Sequence, residues 1–236
     1  MPFADEGRDF DGSVLLTQCL QRDFLDPQPP SPNRLHVGAR MVQRVRGDGK
    51  SPDRLANFIR AVYTAPGCDN ATVLNVRDWH DQSDPGQAEE LKFFGAHGLA
   101  DTPGAEFIDP LGEYAFTGDV RPIDSIHLND FVETNLARVL EELTGGHYDR
   151  WRFGVIGAHT SIKVELVAIL LRTQLRVPVG QVAVCGNLCA DQFLDRHNAA
   201  LDKLGTVYGV KIFNTGDLNV CDREIAAFGR WLGLKA

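Results

Sequence analysis

Residues Arg152–Leu171 read RFGVIGAHTSIKVELVAILL, and this stretch decides the fold. Phe153–Ile156 has the character of a buried strand, Gly157-Ala158 makes a tight turn, and a helix begins near Thr160 or Ser161. Either hydroxyl is suited to accept a hydrogen bond from a free N–H of the first turn, with Glu165 close by. Val164, Val167, Ala168 and Leu171 then recur at helical spacing. A strand that ends at a helix N-terminus sets free N–H groups and a positive dipole end at the carboxyl edge of the sheet, where open α/β sheets bind ligands. Lys163 falls in that first turn, a place where the dipole disfavours a cation.

Working outward, the alternation continues. A strand at Val182–Cys185, a helix at Ala190–Leu204, a strand at Thr206–Ile212 and a helix at Arg223–Leu232 follow. Upstream, Ser13–Cys19 and Ala71–Val76 read as strands and Val120–Ile123 as a short one. Arg54–Val62 has Leu55, Phe58, Ile59 and Val62 on one helical face, with Asp53 as its cap, and Phe131–Leu143 is an amphipathic helix ended by Gly145-Gly146. Four prolines in Pro27–Pro32 forbid regular structure in the loop after the first strand. Arg77–Gly104 is polar and long for a connection, which marks it as functional or as carrying some structure of its own. The β-α order after residue 150 predicts a parallel sheet covered on both faces, joined by right-handed crossovers.

The 236 residues make one domain, 1–236, with no linker-like segment and with 1–12 as a flexible, polar N-terminal stretch. A formal charge of −8, from 24 Lys and Arg against 32 Asp and Glu, argues against nucleic acid or an anionic membrane surface as partner. No apolar run is long enough to span a bilayer, and MPFADEGRDFDG has no signal-peptide core. Five cysteines, Cys19, Cys68, Cys185, Cys189 and Cys221, fit a reduced cytoplasmic protein with buried thiols. Cys185 and Cys189 lack the second pair that a zinc site of that spacing needs.

Four segments, in order, resemble the isochorismatase-like cysteine hydrolases. Cys19-Leu20-Gln21-Arg22-Asp23-Phe24 is similar to their D-x-Q-N-D-F opening. Arg77-Asp78-Trp79-His80, His97-Gly98 and Thr102-Pro103-Gly104-Ala105-Glu106 resemble D-W-H, H-C and T-P-G-A-E. Leu128-Asn129-Asp130-Phe131 with Thr134-x-Leu136 resembles Y-S-A-F with T-x-L, and Gly157–Val164 resembles G-V-x-T-x-x-C-V, the turn of the nucleophile. The resemblance implies an α/β fold, a three-layer α/β/α sandwich on a mainly parallel, Rossmann-like sheet of about six strands. It also implies a homo-oligomer, a dimer or larger, acting on a small molecule. It assigns Phe24, Trp79, Phe131, Gly157, Ala158 and Thr160 to substrate binding.

The catalytic positions depart from that pattern. The family's Asp, Lys and Cys correspond to Cys19, Ser125 and Lys163 here. One reading makes Cys19 a thiolate nucleophile beside the Lys163 ammonium, with Ser125 and His159 completing a permuted site for a small amide-like substrate. The other makes the chain a pseudoenzyme, with Cys19 a buried thiol and the old pocket binding a small ligand or a partner protein. Asp78, His80 and His97 match the metal ligands of the nicotinamidase branch and suit a divalent ion such as zinc. The alternative is that Asp78 and His80 cap and pin the long loop by hydrogen bonds. Asp191, Asp195, Arg196 and His197 read as a solvated helix face.

Overall fold

The computed structural model describes residues 9–31, 33–47, 53–64, 71–117, 121–217 and 220–234. Six strands, β1 (Gly12–Gln18), β2 (Ala71–Asp78), β3 (Ile123–Ser125), β4 (Trp151–Ala158), β5 (Val182–Ala190) and β6 (Lys211–Phe213), form one sheet in the order β3-β2-β1-β4-β5-β6. Every adjacent pair is parallel. The helices are α1 (Arg22–Leu25), α2 (Ala39–Arg46), α3 (Arg54–Thr64), α4 (Ala88–Phe94), α5 (Leu111–Tyr114), α6 (Leu136–Thr144), α7 (Glu165–Thr173), α8 (Leu194–Thr206) and α9 (Cys221–Trp231). With α2, α3 and α9 packed together and α7 and α8 packed together, the architecture is the expected three-layer α/β sandwich.

Burial explains the strands. Every residue of β1 and of β5 is buried, as a parallel strand covered on both faces requires. Phe153, Leu16, Leu74 and Phe228 are among the largest fully buried side chains, each contributing roughly 1.5–3 kcal/mol by leaving water. In α3 the buried set includes Leu55, Phe58, Ile59 and Val62, and Asp53 caps it by accepting the Ala56 N–H at 2.9 Å. Helix α6 ends on Gly145 in the left-handed conformation, φ 59°.

Several boundaries differ from the sequence reading, each for a local reason. Strand β3 lies at Ile123–Ser125, past the expected Val120–Ile123, and residue 120 is outside the described set. Helix α6 starts at Leu136, five residues after Phe131. Asn129 Oδ1 accepts the Phe131 N–H, and Thr134 Oγ1 donates to the Asp130 carbonyl, so polar side chains hold residues 129–134 in turns. Strand β5 runs on to Ala190, which delays α8 to Leu194, and β6 begins only at Lys211. Helix α2, absent from the sequence reading, buries Met41, Val42, Arg44 and Val45. Residues 1–8 and Cys68 lie outside the described residues. Residues 10–12 are not the flexible segment expected. The Arg152 guanidinium lies 4.1 Å from the Phe10 ring centre, Arg150 donates to Asp11 at 2.5 Å, and Gly12 opens β1. Among the described residues no helix is long and apolar enough to cross a membrane.

Candidate active site

The β4–α7 turn is built differently from a simply capped helix. Thr160–Val164 forms one π-helical turn before α7, and neither Thr160 nor Ser161 caps it. Thr160 Oγ1 instead donates to the Ala190 carbonyl at 3.1 Å and accepts from His197 Nδ1 at 2.8 Å. The cap comes from a distance: Asp191 Oδ2 accepts the Ser161 N–H at 2.7 Å. A carboxylate is the favoured group at such a terminus. Gly157, at φ 125°, lies so close to β1 that a Cβ there would stand 2.0 Å from the Gln18 carbonyl oxygen. Only glycine permits that approach.

This turn aims Lys163 into the sheet's carboxyl edge, 4% exposed. Its Nζ donates to Asp78 Oδ1, to Asp130 Oδ1 at 3.0 Å and to Ser125 Oγ at 3.2 Å. Burial opposes the charge on Lys163, but Asp130 and Asp78 outweigh it and hold its pKa well above the ordinary lysine value. The ammonium thus sits in the position expected for a nucleophile and reaches Ser125, in the position expected for a lysine. Burial would raise the Asp78 pKa, yet Lys163, His97 and His80 together keep it below the usual carboxylate range. For Asp130 burial prevails and the pKa rises. Asp130 Oδ2 is buried with no partner among the described residues.

The expected Cys19 thiolate is not what these surroundings favour. Cys19 is 2% exposed and its Sγ donates to Asp78 Oδ1 at 3.5 Å. Burial first, then Asp78, push its pKa well above the ordinary thiol value, and the lowering effect of Lys163 is smaller. The ammonium is engaged by two carboxylates, one of which stands beside the sulfur, so the thiol stays protonated. His159 is likewise kept neutral, its pKa lowered by burial. Its ring meets Phe24 edge-on at 5.9 Å, and its Nε2 has no partner among the described residues.

Asp78, His80 and His97 come together as one buried group, with one donor atom from each within 4.8 Å of the others. The alternation of β2 continues past its end to the isolated bridge at His80, which puts Asp78 and His80 on the same side. Gln87 Oε1 accepts from His80 Nδ1 at 2.9 Å, and the Gly95 carbonyl accepts from His97 Nδ1 at 2.7 Å. Both acceptors lack protons, so each Nδ1 carries the hydrogen and each Nε2 keeps its lone pair. Both Nε2 atoms are buried without a hydrogen bond among the described residues, and His97 Nε2 lies 3.8 Å from Asp78 Oδ2. Two imidazole lone pairs without a partner among the described residues, facing a carboxylate and each on a ring oriented by a carbonyl behind it, make a donor set and outer shell able to hold a divalent metal ion. The residues fit zinc.

The remaining expected residues divide. Phe24 is buried between the rings of His97 and His159, at 5.9 Å from each, and forms a wall of the site. Ser125 faces Lys163 but donates its own proton to the His127 carbonyl at 2.9 Å. Phe131 packs partly buried against the core. Gly157 and Ala158 are the last residues of β4, and Thr160 is fully engaged in the turn rather than open to a ligand. Trp79 points away from Lys163: its ring stacks under the Arg77 guanidinium at 3.6 Å and lines a separate cavity. A surface opening of about 610 Å³ lies beside the metal-type cluster, lined by Arg34, Glu89, Glu90, Lys92, Phe93, Phe94 and Leu128. Phe94 meets His97 edge-on at 6.2 Å, and half-buried Glu90 has its pKa raised by burial and by Asp78.

Asp130, Gln87, Asp191 and His197 are the site residues that the sequence reading missed or misplaced. Asp130 carried a signal: an acid where Y-S-A-F has alanine, in a chain with a lysine where G-V-x-T-x-x-C-V has cysteine. Gln87 carried none. Asp191 and His197, expected on a solvated face, are 2% and 0% exposed, because the longer β5 brings both to the sheet edge.

No protein-family model and no curated protein matches the sequence. Solved structures do. The pyrazinamidase/nicotinamidase of Streptococcus mutans superposes with a TM-score of 0.67 at 20% identity, over 85% of this chain and 99% of that one. The pyrazinamidase of Pyrococcus horikoshii, crystallised in complex with zinc, gives 0.62 at 20% identity, over 86% and 99%. The N-carbamoylsarcosine amidase of Thermoplasma acidophilum gives 0.60 at 18%, over 87% and 98%.

Proposed function

We propose, for a chain with the fold of the isochorismatase-like hydrolases, a metal-centred binding site for a small ligand that works without a cysteine nucleophile. One observation carries this reading: the Lys163 ammonium, where the resemblance puts the nucleophile, is engaged by Asp78 and Asp130, which leaves Cys19 a protonated thiol. Asp78, His80 and His97 hold the divalent ion, zinc being the best fit. When bound, the ion supplies a Lewis acid for a ring nitrogen or carbonyl oxygen of the ligand. Lys163 is a positioning residue: it ties down Asp78 Oδ1 and leaves Oδ2 on the side of His97. Asp130 Oδ2 offers a free acceptor to an N–H or O–H of the ligand. Phe24 and the Phe93–Phe94 opening supply the apolar contact. A homo-oligomer in the cytoplasm goes with this reading.

The test uses zinc and three small amides: nicotinamide, pyrazinamide and N-carbamoylsarcosine. Expected results are one zinc per chain by equilibrium dialysis, lost in His80→Ala and His97→Ala, and no ammonia released from any amide. Absence of zinc binding overturns the metal-centred reading. Ammonia release that disappears in Cys19→Ala overturns the non-catalytic role of the thiol and restores the amide-hydrolase reading, with Cys19 and Lys163 as a working pair.

A further inference from the structure

The alternation that turns Asp78 and His80 toward Lys163 turns Arg77 and Trp79 the other way. There they line a cavity of about 450 Å³ with Asp101, Glu106, Phe107, Asp109 and Phe116. That volume lies within the roughly 300–1,000 Å³ range of small-molecule sites. The Arg77 guanidinium carbon stands 3.6 Å from the Trp79 ring centre, 5.6 Å from Phe116 and 5.8 Å from Phe107. Its Nε donates to Asp124 Oδ1 at 2.6 Å. The plane of the guanidinium is therefore set on one face by an indole and on one edge by a carboxylate, with its side chain 12% exposed. Its terminal N–H groups make no hydrogen bond among the described residues. They form a rigid, unanswered fork, the geometry that pairs with a carboxylate.

The rim has the opposite character. Of its three carboxylates, Glu106 is taken by Arg22 at 3.1 Å, whereas Asp101 and Asp109 are exposed and have no ion pair among the described residues. A plain anion would answer the fork and be repelled by these two acids. A plain amine would answer the acids and leave the fork unpaired. One molecule carrying both charges answers both. We infer that this cavity is a second ligand site, distinct from the Lys163 centre, for a zwitterionic α-amino acid with an apolar side chain. Its carboxylate sits on the Arg77 fork, its ammonium on Asp101 and Asp109, and its side chain against Phe107 and Phe116.

L-Phenylalanine, N-acetyl-L-phenylalanine, which lacks the ammonium, and phenethylamine, which lacks the carboxylate, are the probes, titrated calorimetrically against the intact chain. L-Phenylalanine is expected to saturate, with each truncated probe at least about tenfold weaker. Arg77→Lys keeps the charge, loses the fork and is expected to weaken L-phenylalanine about tenfold. Asp101→Asn with Asp109→Asn is expected to do the same, while phenethylamine loses more than N-acetyl-L-phenylalanine. Unchanged melting temperatures exclude loss of fold as the cause, since both acids are on the surface and Arg77→Lys retains the charge that pairs with Asp124. No saturation at millimolar L-phenylalanine overturns the proposal. So does either truncated probe binding as tightly as L-phenylalanine, or binding that survives Arg77→Lys.

Discussion

Replacing Lys163 by methionine removes one ammonium, keeps most of the side-chain length and leaves Asp78 and Asp130 facing each other. Both carboxylates are buried, at 3% and 0% exposure, so neither reaches water to compensate. Breaking a buried ion pair from one side costs about 3–5 kcal/mol, most of it the penalty of the stranded charge. For a chain of this size that lowers the melting temperature by roughly 6–20 °C, at about 2–4 °C per kcal/mol. The assay is urea unfolding followed by circular dichroism, in the presence of a chelator so that no metal compensates Asp78. Asp130→Asn alone removes one of the two opposing charges and is expected to cost about 1–3 kcal/mol. The double variant separates the pair from its parts: with the ion pair formed as described, its loss falls short of the sum of the singles by about 0.5–3 kcal/mol. A Lys163→Met loss below about 1 kcal/mol, together with additive singles, refutes the reasoning, because it means the ammonium is not compensating these carboxylates.

Gln87→Ala is expected to weaken zinc binding about 10–100-fold by freeing the His80 ring, measured by competition with a chromophoric chelator; unchanged affinity removes Gln87 from the site. Burial first, and the nearby Arg44 charge second, lower the His197 pKa to about 4, so the fold holds the neutral ring. Its contribution is full above the ordinary value near 6.5 and is lost as pH falls from there toward 4, by roughly 3 kcal/mol. Urea titrations of wild type and His197→Gln across that window are expected to converge toward low pH, and parallel curves contradict the assignment. Iodoacetamide at pH 8 is expected to leave Cys19 unlabelled in the native chain, read by peptide mass spectrometry, because burial and Asp78 keep it protonated. Labelling of Cys19 at the rate of a free thiol means a thiolate after all.

Strand β1 and the β4–α7 pairing were legible because both write their burial into local sequence: an unbroken apolar run, or apolar residues at helical spacing. Asp78, His80 and His97 were singled out together by the resemblance, and the structure gathers one donor atom from each within 4.8 Å of the others. What escaped is what depends on partners far along the chain. Lys163 has its meaning only beside Asp78 and Asp130, 85 and 33 positions away. Read alone next to Cys19, it suggested a thiolate; read with both acids, it is a cation already answered. Trp79 lies on the other face for a simpler reason. Period-two alternation sends it to the face opposite Asp78, and a motif in which the two are adjacent conceals that. The late start of α6 was hidden by Thr134 and Asn129, whose side chains compete with the backbone for its own hydrogen bonds.

The cap on the Lys163 turn is lent by Asp191, thirty residues downstream and just beyond the end of β5. Thr160 is anchored to that same downstream segment, through the Ala190 carbonyl and His197. The turn is therefore not a self-contained strand–helix module that would survive being cut out or transplanted. Its shape is a readout of whether the second half of the sheet has docked. A fragment ending before Val182 retains every residue of the Lys163 cluster and lacks the scaffold that aims it. The chemistry of this site belongs to the finished sheet, and to no shorter piece of the chain.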